Sequence, residues 1–142
     1  MTGVAPIPPI ELAIEIAASP EAAWRAITDP DRVALWLTEA TVVGLPGSPY
    51  RLDFGDGSVV TGVVTELEPG SRFAHTWAWA DGDGAGPTRV EWRVEPRPGG
   101  GTRFSLVHDG WAKAGSHLGA RDDHERYWTG YLDDLQDVLG ET

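Results

Sequence analysis

Ile10, Leu12, Ile14 and Ile16 alternate with Glu11, Ala13, Glu15 and Ala17. A period of two is the pattern of a strand with one buried face and one wetter face. At the far end of the chain the period changes. His124, Trp128, Tyr131 or Leu132, Leu135, Val138 and Leu139 recur at spacings of three and four, which predicts a long amphipathic helix after Gly115 and up to Gly140.

Cap signals set the elements between. Ser19 supplies an N-cap oxygen, Pro20 suits the first helical position and Glu21 favours the positive helix end, so a short helix is predicted from about Pro20 to Thr28. Asp29 with Pro30 repeats the signal for a second helix through about Leu37. Strands are then predicted near Thr41 to Gly44, Tyr50 to Phe54, Val59 to Glu68, Arg72 to Ala80, Thr88 to Glu95 and Thr102 to Asp109. They are separated by Pro46-Gly47, Asp56-Gly57, Pro69-Gly70, Asp81 to Pro87 and Pro98 to Gly101. Short loops favour an antiparallel meander. The order is that of an α+β domain whose curved sheet wraps the C-terminal helix. A sheet so wide is expected to leave a mostly apolar cavity beside one narrow helix. Residues 1–9, rich in proline, read as a flexible lead-in, and residues 10–140 as one domain.

Composition narrows the function. Eleven basic against twenty-two acidic residues give a net charge of −11. Such a surface repels phosphate backbones and anionic lipids, so neither nucleic acid nor membrane is an expected partner. Cysteine is absent, which removes disulfides, thiolate metal sites and a thiol nucleophile. The first residues lack a basic stretch followed by a signal-length apolar run, and a cytoplasmic location is expected.

Several segments together resemble a known family. They are Ser19-Pro20-Glu21-Ala22-Ala23-Trp24, Thr28-Asp29-Pro30, Leu35-Trp36, the run from Gly62 to Pro69, His75-Thr76-Trp77 and the run from Gly100 to His108. In order and spacing this set resembles the heat-shock-protein ATPase activator homologue family. That family lies within the START-related, birch-pollen-allergen-like superfamily often called SRPBCC, and the likeness extends over about Ile10 to Leu139. The resemblance implies a helix-grip fold with an internal pocket, while the acidic, Arg-rather-than-Lys composition rich in Ala, Gly and Pro suggests a bacterial source. Members of the superfamily bind lipids, hormones or polyketides, and some are cyclases or hydrolases. The eukaryotic co-chaperone carries this module behind a separate chaperone-binding domain, and no such domain is expected within these 142 residues.

Strand parity proposes the wall of that pocket. Tyr50, Leu52 and Phe54 share a face, as do Phe73, His75, Trp77 and Trp79, then Val90, Trp92 and Val94, then Phe104, Leu106 and His108. In the strand from Val59 to Glu68 both parities are about equally apolar, and the facing of Glu66 stays open. Aromatic walls broken by a few polar groups suit small-molecule binding, while the same rings can also simply fill a core. The expected ligand contacts are Trp36, Tyr50, Phe54, His75, Trp77, Trp92, His108, Trp128 and Leu132. His75 and His108 are the candidates for proton transfer in the alternative of a cyclase or dehydratase. A third reading is an interaction module, either co-chaperone-like or a homodimer formed through a strand edge or aromatic patch.

No cofactor or metal is expected. His117 and His124 would stand about 10 Å apart along a helix, too far to share one ion. The Asp81-Gly82-Asp83-Gly84 run departs from a calcium loop at Ala85 and Trp92. The phosphate-loop, nucleophile-elbow and H-E-x-x-H patterns are missing.

Overall fold

The computed structural model describes residues 8–37, 39–40, 47–54, 59–79, 88–111 and 118–140. In chain order the elements are β1 (Ile10–Ile16), α1 (Pro20–Thr28), α2 (Pro30–Trp36), β2 (Glu39–Ala40), β3 (Pro49–Asp53), β4 (Val59–Glu68), β5 (Arg72–Trp79), β6 (Thr88–Pro96), β7 (Thr102–Asp109) and α3 (Leu118–Gly140). The predicted strand at Thr41 to Gly44, the Asp81 to Pro87 loop and His117 lie outside the described residues.

The strands form one antiparallel sheet in the order β1-β7-β6-β5-β4-β3-β2. From β2 to β7 it is the expected meander, with β1 added beside β7. Because β1 and β2 occupy opposite edges, α1 and α2 must carry the chain across the sheet between them. Asp29 makes the corner. Its backbone N–H donates to the Arg25 carbonyl and ends α1, while its carboxylate accepts from the Asp31 N–H at 3.0 Å and starts α2. The inner sheet face is thus covered by three helices, of which α3 contributes Trp128, Leu132, Leu135 and Leu139 to the core.

A β-bulge explains why β4 was ambiguous. Val60 pairs with Trp79 and Val64 with His75, but beyond the bulge Glu66 pairs with Ala74 and Leu67 with Phe73. The extra residue switches which parity faces inward. Val60 and Val64 are buried, whereas Glu66 points to the outer face, where it meets Arg72 at 2.8 Å and also pairs with Arg89. Glu91 joins this outer network through Arg72 at 3.1 Å, Arg89 at 3.2 Å and Arg93 at 2.6 Å. Burial works to raise the Glu91 pKa, but the Arg93 and Arg89 guanidiniums outweigh it and hold the carboxyl below its usual range.

Glycine is required at one point in the sheet. A Cβ on Gly62 would lie 2.3 Å from the Thr76 carbonyl oxygen and 2.6 Å from Cε1 of Tyr50. Its absence lets Tyr50 cross β4 and donate its hydroxyl proton to the Thr76 carbonyl. Among the described residues no helix is long and apolar enough to cross a membrane.

Candidate functional site

The inner face is built from rings stacked along neighbouring strands. His75, Val90 and His108 fall in one row across β5, β6 and β7, so the two strand histidines lie two strands apart. Each histidine accepts a hydrogen bond from an indole, which can only donate. Trp92 Nε1 donates to His75 Nε2 at 2.9 Å, and Trp128 Nε1 donates to His108 Nδ1 at 3.0 Å. On α3, His124 Nε2 accepts from Trp79 Nε1 at 3.0 Å.

These donors dictate the tautomers. With Nε2 of His75 taken as acceptor, its proton sits on Nδ1, which faces the Tyr50 hydroxyl at 2.9 Å and the Thr76 carbonyl at 3.0 Å. His108 is the reverse. Its Nδ1 accepts from Trp128, and its Nε2–H donates to Thr88 Oγ1 at 2.6 Å, which in turn donates to the Trp77 carbonyl. Burial pushes the His75 pKa down to about 4 against an ordinary 6.5, with the Arg89 charge adding to the fall. His108 is held well below its ordinary value by burial first and by the neighbouring His124 and His75 next. Burial raises the Tyr50 hydroxyl. All three groups are therefore neutral at ordinary pH, and the lone pair a general base would use is occupied on both strand histidines.

A cavity of about 30 Å³ lies between these rings, α2 and β3. Trp36, Tyr50, His75, Trp77, Trp92 and Trp128 line it. Phe54, His108 and Leu132 do not. Phe54 turns at the end of β3 to pack on Trp79 and Tyr131, with ring centroids 5.6 and 6.2 Å away. His108 is enclosed by Trp111, at 4.3 Å between centroids, and by its bonds to Thr88 and Trp128. Leu132 is spent in the packing of α3 on the core. The wall also includes Ile27, Val33, Leu37, Leu52, Val64 and Phe73. Leu52 and Phe73 sit on the inward parity and were legible. Val33 and Leu37 were not, because a cap signal predicts a helix without saying where that helix docks.

The space is smaller than expected. A volume of about 30 Å³ holds about two waters, so it admits no metabolite as it stands. The expectation of a roomy hollow treated α3 as the sole cover of the inner face. In the structure α1 and α2 also lie across it, and the tryptophans interlock, with Trp92 and Trp128 centroids 5.3 Å apart and Trp77 and Trp128 5.1 Å apart. One polar atom of a wall residue is unmatched. Among the described residues, the buried indole Nε1 of Trp77 has no hydrogen-bond partner.

Residues 17–140 match the family described as Activator of Hsp90 ATPase homolog 1-like protein. No curated protein matches the sequence. Among solved structures, DynU16, a protein in the dynemicin biosynthetic locus, is 22% identical with a TM-score of 0.81. That alignment covers 92% of this chain and 46% of DynU16, so this chain spans about half its length. A protein from Mesorhizobium loti is 23% identical with a TM-score of 0.85, over 95% of this chain and 98% of that one. The Aha1 dimer from Colwellia psychrerythraea is 24% identical with a TM-score of 0.80, over 94% and 96%. The shared architecture is the helix-grip fold.

Proposed function

The chain belongs to the Activator of Hsp90 ATPase homolog 1-like protein family, and from that premise we propose that it binds a small apolar or aromatic molecule in the cavity bounded by the inner sheet face, α2 and Trp128 of α3. One observation carries the reading: among the described residues, the buried indole N–H without a partner belongs to Trp77, which lines a cavity walled by rings. Unsatisfied buried donors are rare in native proteins because each costs about 1–3 kcal/mol. A ligand acceptor would remove that cost. DynU16 belongs to the dynemicin biosynthetic locus, which is compatible with a small-molecule role for this fold.

A cavity of only about 30 Å³ implies that binding includes an opening step. Helix α2 is the natural cover, since it has only seven residues and presents Val33 and Trp36 to the wall. Proton transfer by His75 is the weaker alternative, because its base lone pair would first have to leave Trp92.

The test is native mass spectrometry of gently purified protein, followed by tryptophan-fluorescence titration with a library of apolar metabolites against the wild type and Trp77→Ala. The expected result is a co-purifying neutral molecule, or saturable quenching that the substitution weakens. If nothing co-purifies and no compound in the library gives saturable quenching, the interior is only a core and the proposal fails.

A further inference from the structure

The hydrogen bonds already made inside the cavity restrict what can occupy it, and the restriction rests on the ligand-binding reading above. Trp36 Nε1 is spent on the Ala26 carbonyl at 2.7 Å. Trp92 and Trp128 are spent on His75 and His108. The Tyr50 hydroxyl is donated to Thr76 and stands against His75 Nδ1, so both nitrogens of His75 are engaged. Among the described residues the wall contains no Asp, Glu, Lys or Arg. Among the described wall residues, what remains is one uncommitted side-chain donor, on Trp77.

A wall with one free donor and no charge is selective by exclusion. A charged group would lose its hydration without a counter-charge, and a hydroxyl or amine would bury a proton that no free side chain accepts. Water fares little better, since a buried water typically makes about three hydrogen bonds. We infer that the occupant is an uncharged, mainly apolar molecule bearing a hydrogen-bond acceptor, of the ketone, quinone, ester or aromatic-nitrogen kind, and no exposed donor. Its acceptor atom takes the Trp77 Nε1–H, and its apolar body replaces the ring contacts that opening disrupts.

Four probes of similar size separate these demands on the full chain: acetophenone carries an acceptor alone, ethylbenzene neither group, 1-phenylethanol a donor as well, and benzoate a charge. The readout is the assigned indole resonance of Trp77 in ¹H–¹⁵N spectra, with affinities from the same titrations. Acetophenone is expected to shift that resonance downfield and to bind about three- to tenfold tighter than ethylbenzene, the worth of one net hydrogen bond. The alcohol should bind about tenfold more weakly than the ketone, and benzoate not at all. In Trp77→Phe the advantage of ketone over hydrocarbon should vanish. If that variant does not fold, the wild-type resonance and affinity order decide. Equal binding of ketone and alcohol, or an unmoved Trp77 indole, overturns the inference while hydrocarbon binding leaves the pocket reading intact. Failure of every probe to bind overturns both.

Discussion

Acidification should weaken the fold through His75. In the native state this imidazole is 6% exposed and neutral, and its pKa lies at about 4 against an ordinary 6.5. The unfolded chain therefore takes up the proton first, and stability falls as the pH drops from about 7 toward 4, then levels off below the native value. At about 1.4 kcal/mol per pKa unit, the full contribution of His75 is about 3 kcal/mol, and about 2 kcal/mol of it is gone by pH 5. His108 acts in the same direction. Urea unfolding at pH 7, 6 and 5 measures the sum, and repeating the series with His75→Gln isolates one site. The substitution has its own cost, but that cost is nearly independent of pH, and a glutamine carbonyl can accept from Trp92. Wild type should lose about 2 kcal/mol more than the variant between pH 7 and 5. Parallel pH profiles would refute the view that a neutral His75 is locked between Trp92 and Tyr50.

Other perturbations test the rest of the architecture. Gly62→Ala should cost more than about 2 kcal/mol in urea unfolding, because its Cβ meets the Thr76 carbonyl at 2.3 Å. Gly130→Ala, on α3 with nothing within 4 Å of the new Cβ, should instead stabilise by up to about 1 kcal/mol. Glu91→Gln leaves Arg72, Arg89 and Arg93 crowded around a neutral amide and should lower stability by about 1–3 kcal/mol. Glu68→Gln, whose ion pair with Arg72 is long and exposed, should change it by less than about 1 kcal/mol. If binding follows opening of the interior, stopped-flow tryptophan quenching should reach a plateau rate as probe concentration rises, and a rate still linear at saturating probe would argue for a preformed cavity.

Much of the fold was legible because its periods were clean. Alternation in β1, β5, β6 and β7 separated inward from outward residues, and the three-and-four stripe in α3 did the same for Trp128, Leu135 and Leu139. Ser19 and Asp29 announced both short helices through cap chemistry that is local in sequence. In β4 the same reasoning stalled, because the bulge between Val64 and Glu66 moves the inward face from one parity to the other partway along the strand. No local rule distinguishes that switch from a strand apolar on both sides.

By itself the sequence determined which residues face inward on most strands, the helix ends and the absence of thiol chemistry, since each depends on neighbours a few positions apart. Only the tertiary structure decided how those inward residues spend their polar atoms. The pairing of Trp92 with His75 and of Trp128 with His108 depends on strand register and on where α3 lies. The same packing laid α1 and α2 over the sheet and reduced the hollow to about 30 Å³. Volume is a property of all the elements at once, so no periodicity along the chain could report it.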